Sequence, residues 1–134
     1  MRDHVLVVDD NRDAADLMAG LVKSWGYPAK AVYSGEEAIA ATASFLPDMV
    51  LMDLAMPGLD GFETVASIRR KRPAAEIVIV AVTAFDSAEH KRRAYEGGFD
   101  LFVTKPLTVK KVRELLTLLD PAIGSSETEP SAAP

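Results

Sequence analysis

The chain has 134 residues, 49% of them hydrophobic, with 20 acidic against 15 basic side chains and a net charge of −5. That length suits one compact domain with its own core, and the acidic balance argues against broad binding to nucleic acid or membrane surfaces. The absence of cysteine excludes disulfides, thiolate metal sites and a catalytic thiol, and no apolar run has signal-peptide form or nears the ~20 residues of a bilayer span, so a cytoplasmic protein is expected.

Val5–Val8 reads as a first strand, ended by Asp9, Asp10 and Asn11. Ala14, Leu17, Met18, Leu21, Val22 and Trp25 then recur every three or four residues, which predicts a helix stopped by Gly26 and Pro28. Ala29–Tyr33 is a weaker, partly alternating strand. Ser34 is the expected N-cap of a second helix carrying Ala38, Ile39, Thr42 and Phe45. Met49–Met52 is an apolar strand ending at Asp53, and the loop from Ala55 to Gly61 leads into a helix with Phe62, Val65 and Ile68. Ile77–Val82 is the longest β-branched run and ends at Thr83. Ser87–Glu96 predicts a helix with little amphipathicity, stopped by Gly97 and Gly98. Phe99–Val103 is a short strand interrupted by Asp100 and followed by Lys105 and Pro106, and Val112, Leu115, Leu116 and Leu119 mark a last helix. From Gly124 the composition turns to Ser, Glu, Thr, Pro and Ala. Residues 1–120 are therefore expected to form the domain, and residues 121–134 a tail or linker.

Five strands alternating with five helices predict an α/β fold, because parallel strands need crossover helices. The first, third and fourth strands are continuously apolar, as strands covered on both faces are. Pro28 and Asp100 mark the second and fifth as edges. Those edges match a flavodoxin-like (βα)5 three-layer sandwich with a parallel sheet of order 2-1-3-4-5. A dinucleotide-binding sheet would need a glycine-rich first turn, where this chain has Asp9-Asp10-Asn11-Arg12.

Four polar signals follow four of these strands: Asp9 with Asp10, then Asp53, Thr83 and Lys105. In an open parallel sheet those ends share one edge, and the first and third strands meet at the switch point where ligands bind. Three carboxylates gathered there repel one another and lose hydration, which raises their pKa values; a hard cation relieves both, and an oxygen-only site suits Mg2+. A carboxylate beside such an ion can act as nucleophile toward a phosphoryl group, with a hydroxyl and an ammonium as donors to its oxygens. Taken singly, each residue has a plainer role: Asp9 and Asp10 as caps, Asp53 as a turn residue, Thr83 as a strand end, Lys105 as a surface lysine. Their joint position favours the chemical reading. His4 and His90 read as surface residues, and Trp25 and Tyr95 as core or half-buried aromatics.

The blocks Val5–Asn11, Met49–Gly61, Ile79–Ala84 and Asp100–Pro106, in this order and spacing, resemble the receiver domain of bacterial two-component response regulators. The resemblance runs from about Val5 to Leu119. It implies that Asp53 accepts a phosphoryl group from a phosphohistidine on a histidine kinase or histidine phosphotransfer protein. It also implies that Asp10 and Asp53 bind Mg2+ directly, that Asp9 acts largely through water, and that the Ala55 carbonyl supplies another ligand. Thr83 and Lys105 would contact the phosphoryl oxygens, and Lys105-Pro106 resembles a peptide that is cis in receivers. Thr83 and Phe102 would form the switch, with the fourth helix, fifth strand and fifth helix as the output face for a downstream protein. Ala55, Ala84 and Phe85 would surround the phosphate; neither Ala55 nor Phe85 can hydrogen-bond an attacking water, so slow self-dephosphorylation is expected. Such a domain catalyses only its own phosphorylation and dephosphorylation, and output by protein contact, with no direct nucleic-acid binding, is expected of it. The same residues fit the receiver of a hybrid kinase.

Two alternatives use the same fold. A haloacid-dehalogenase-type phosphohydrolase would carry a second aspartate two residues after the nucleophile, where this chain has Ala55. A binding module without phosphorylation would leave the set Asp9, Asp10, Asp53, Thr83 and Lys105 unexplained.

Overall fold

The structure is a computed structural model and describes residues 3–54, 61–72, 76–84 and 87–119. Its elements run in chain order as β1 (Val5–Val8), α1 (Arg12–Ser24), β2 (Ala29–Val32), α2 (Gly35–Ser44), β3 (Met49–Asp53), α3 (Gly61–Lys71), β4 (Val78–Thr83), α4 (Ala88–Glu96), β5 (Leu101–Thr104) and α5 (Val109–Leu116). The five strands form one parallel sheet of order β2-β1-β3-β4-β5, as expected. The last two strands begin one and two residues later than the apolar runs suggested. Ile77 and Phe99 are buried in the core ahead of their strands.

Alternation along the strands sends side chains to two separate cores, since successive Cβ atoms point to opposite sheet faces. Leu6, Val8, Val50, Met52, Ile79 and Ala81 pack against Ala38, Ala41, Val65, Ile68 and Ala94 of α2, α3 and α4. Val5, Val7, Met49, Leu51, Val80 and Val82 pack against Ala15, Ala19 and Val22 of α1 and Val112, Leu115 and Leu116 of α5. The result is a three-layer sandwich.

Helix starts follow their side chains. Asn11, Ser34, Ser87 and Thr108 cap α1, α2, α4 and α5, each accepting a hydrogen bond from a backbone N–H three residues on. After α4, Gly98 takes φ +113, a conformation that disfavours any side chain; a Cβ there would also meet Val65 Cγ1 at 3.0 Å.

Three side chains differ from expectation. The buried face of α1 is Ala15, Ala19 and Val22, while Leu17 is 77% exposed. Tyr95 is an exposed aromatic, because α4 meets the sheet only through Ala94. His4 is part of the packing at the amino-terminal sheet edge: its ring stacks on Phe45 and its Nδ1–H donates to the Phe45 carbonyl at 3.0 Å. His90 is exposed and Trp25 half-buried, as read from the sequence. Among the described residues, no helix is long and apolar enough to cross a membrane.

Candidate functional site

The site lies where the strands end. Val8 pairs with Met52 across β1 and β3, so the next residues, Asp9 and Asp53, leave the sheet side by side. Asp53 pairs with Val82 across β3 and β4, and Thr83 pairs with Thr104 across β4 and β5, which brings Thr83 and Lys105 to the same edge. The ladder continues past the strands: Leu54 N–H donates to Val82 O at 3.1 Å, and Lys105 N–H to Thr83 O at 2.8 Å. Rigid strand ends thus set the positions of all four groups.

Asp9, Asp10 and Asp53 each present a carboxylate oxygen, and these oxygens lie within 4.8 Å of one another. Asp53 is buried at the floor, Asp9 is half-buried, and Asp10 is exposed at the rim. The Asn11 N–H donates to Asp9 Oδ1 at 3.0 Å and holds that carboxylate toward the cluster. Burial pushes the Asp9 carboxyl above its ordinary value of 3.8. The Asn11 hydrogen bond opposes that shift, the Asp53 charge adds to it and the Lys105 charge opposes it. The cluster holds more negative charge than its solvation supports, the condition a divalent cation relieves. Hard carboxylate oxygens, one of them still open to water, fit Mg2+ by donor chemistry.

Lys105 Nζ donates to Asp53 Oδ2 at 3.1 Å, and the Lys105–Pro106 peptide is cis. Thr83 is buried, and it shares a sheet face with Phe102, which pairs with Ala81 and is half-buried against the α2–α3–α4 core. Ala84 is exposed beside Thr83. Ala55 and Phe85 lie outside the described residues, as do the loop at 55–60 and the tail at 121–134. The structure therefore brings together Asp9, Asp10, Asp53 and Lys105, with Thr83 at the adjoining strand end.

One feature beside the site has no counterpart in the sequence reading. A cavity of about 410 Å3 runs between α1 and the start of α5 and is lined by Asp9, Asp53 and Lys105 as well as by apolar side chains. The signal was present in α1, whose apolar residues fall on two stripes, more than one sheet contact needs.

A family model for the response regulator receiver domain matches residues 5–117. Solved structures with the same fold include the receiver domain of the Francisella response regulator 1452, at 26% identity and a TM-score of 0.77, covering 90% of this chain and 98% of that one. The receiver domain of Saccharomyces cerevisiae Ssk1, solved with the histidine phosphotransfer protein Ypd1, is 25% identical with a TM-score of 0.80, covering 88% of each chain. The Vibrio cholerae chemotaxis protein CheY4 is 24% identical with a TM-score of 0.81, covering 89% of this chain and 99% of that one.

Proposed function

The chain belongs to the response regulator receiver domain family of two-component signalling, and we propose that Asp53 is the residue on which it carries the phosphoryl group. The observation that carries this reading is the Lys105 ammonium 3.1 Å from a buried Asp53 carboxylate at the floor of the acidic cluster. A nucleophile there is already paired with a donor to the oxygens of an incoming phosphoryl group.

The donor is a phosphohistidine on a kinase or a histidine phosphotransfer protein, the class seen bound to the Ssk1 receiver. An Asp53 carboxylate oxygen forms a bond to phosphorus as the bond from phosphorus to the histidine nitrogen breaks, and the imidazole leaves. Lys105 Nζ and the Thr83 hydroxyl donate to the phosphoryl oxygens. Asp9, Asp10 and Asp53, with the Ala55 carbonyl, would hold Mg2+, which when bound neutralises charge on the transferring group. Asp9, held by the Asn11 N–H, would act largely through water. Ala84 and Phe85 would complete the surroundings of the phosphate. Histidine phosphorylation draws on ATP, so the reading places the protein in the cytoplasm.

Output follows from Thr83 and Phe102. A hydroxyl drawn toward the phosphate vacates space on the sheet face it shares with Phe102, and the ring turns inward. The surface formed by α4, β5 and α5 then changes shape for a downstream protein. Support comes from α4, which buries only Ala94 and is cheap to shift.

The test is incubation with acetyl phosphate and Mg2+, followed by intact mass. A gain of about 80 Da that requires both Mg2+ and Asp53, shown by loss in Asp53→Asn, is expected. Absence of the gain with acetyl phosphate and with phosphorylated histidine kinases alike would put the non-phosphorylated binding module ahead.

A further inference from the structure

Helix α4 owes little of its position to the sheet: Ala94 is its one buried residue, and the rest of its length is exposed. Its last turn rests instead on α3, through the ring of Phe62. A Cβ added at Gly97 would stand 2.7 Å from Phe62 Cδ1 and 3.3 Å from Cε1, so ring and backbone meet with no room for a methyl group. Gly97 has φ −82, which any residue adopts, and the contact rather than the backbone angle calls for glycine there. The same ring lies 5.3 Å from the Arg93 guanidinium and meets Phe99 edge-on at a centroid distance of 5.8 Å. Phe62 is thus the seat of the last turn of α4.

The other side of Phe62 leads to the phosphoacceptor. Its neighbour Gly61 opens α3, and a Cβ added there would lie 3.0 Å from Leu54 Cδ2 and 3.8 Å from Met52 Sδ. Met52 and Leu54 flank Asp53 in the chain, so the start of α3 is packed directly on the exit of β3. A phosphoryl group on the buried Asp53 changes both charge and volume at that exit. Close-packed neighbours pass such a change on.

We propose that Phe62 is a second route from Asp53 to the output face. Loading shifts the start of α3 against the exit of β3, and the Phe62 ring carries that shift to the last turn of α4, independently of Thr83 and Phe102. The proposal rests on Asp53 being the phosphoacceptor and on α4 lying in the output face. Arg93 and the 48% exposed Tyr95 stand on that turn, where a docked partner meets them. The two routes act on different parts of the face, Phe102 on β5 and Phe62 on α4.

The test is hydrogen exchange of the full chain in Mg2+, with and without beryllofluoride, a stable anion that takes the place of a phosphoryl group on a carboxylate. Fluorine NMR of the bound anion reports occupancy, and loaded samples are compared at saturation. In Phe102→Ala, the amides from Arg93 to Gly98 are expected to keep a loading-dependent change in exchange of at least about fivefold, the lower end of coupling between sites. In Phe62→Ala that change is expected to vanish while the anion still binds. Gly97→Ala keeps the ring but pushes the turn off it, and should lose the response as well. Alanine is the better helix former, so a loss there does not come from melting of α4. Loss of the response in Phe102→Ala overturns the proposal, as does its survival in both Phe62→Ala and Gly97→Ala. A parent chain that binds the anion without any change at α4 overturns it while the assignment of Asp53 stands. A chain that neither binds the anion nor gains mass from a phosphohistidine donor removes that assignment first, and the proposal with it.

Discussion

Lys105 and Asp53, 52 residues apart in the chain, form an ion pair at 3.1 Å in which the carboxylate side chain is 7% exposed and the lysine 38%. The pair is asymmetric: Asp53 depends on its partner for solvation, and Lys105 keeps contact with water. Removing the lysine leaves a buried carboxylate beside two others. We expect Lys105→Ala to cost about 1–2 kcal/mol in urea unfolding without metal, less than a fully buried pair because the lysine is partly solvated. Mg2+ should shrink that difference, since a bound cation takes over the neutralisation. A penalty that is the same with and without Mg2+ would contradict the arrangement.

Asp9 leads to a prediction about pH. Its carboxyl is raised from 3.8, chiefly by burial. A raised folded-state value means that the protonated form contributes stability at low pH, and that this contribution is lost as pH rises through the folded value. Asp9→Asn mimics the protonated form. In EDTA its melting temperature should exceed that of the parent at neutral pH, and the gap should close as pH falls into the acid range above 3.8. With Mg2+ the order should reverse, because the ligand set has lost a charge. Melting curves at several pH values, with and without the metal, read both effects.

Arg69 clamps the far end of the sheet. Its guanidinium donates to Gly98 O at 3.0 and 2.8 Å, to Ile77 O at 2.9 Å and to Asp100 Oδ2 at 2.6 Å, and Asp100 Oδ2 also accepts from Ile79 N–H at 2.8 Å. The network ties α3 to the start of β4 and to the turn between α4 and β5. Arg69→Met should destabilise the protein by about 2–3 kcal/mol, since it strands two carbonyls and a carboxylate. Hydrogen exchange at the Ile79 amide should accelerate beyond the global change. Exchange there that only tracks global stability would show that the clamp has no local role.

Leu46 has φ +56 at 57% exposure, directly after the cap of α2. A leucine in the left-handed region is strained, and this one buries little in return. Leu46→Gly should therefore stabilise by about 0.5–1 kcal/mol, the relief of strain exceeding the entropy that glycine adds to the unfolded chain. Denaturant midpoints of the two proteins decide it, and a lower midpoint for the glycine variant would refute the account.

Much of the fold is legible along the chain because it depends on local pattern. The β-branched runs, the cap Ser34, and the stop at Gly97 and Gly98 each act within a few residues of themselves. Edge positions for β2 and β5 were readable from Pro28 and Asp100. Asp100 is the instructive case: it marks an edge strand in sequence, and its carboxylate is held by Arg69 from another helix. Tyr95 read as core or half-buried because it is aromatic, but α4 offers the sheet only Ala94. His4 read as surface because no ligand partner stands near it in sequence; Phe45, which stacks on it, is 41 residues away.

The sequence by itself determined the alternation of strands and helices, the layered class, and the set of polar residues that follow four strands. Residue type and short-range periodicity suffice for those, since hydrophobic burial and backbone capping act locally. The tertiary structure decided which side of α1 meets the sheet, that Lys105 pairs with Asp53, and that a slot reaches the carboxylate between α1 and α5. An apolar stripe records that a face shuns water, whereas the body that covers it depends on how helices far apart in the chain are set against one sheet.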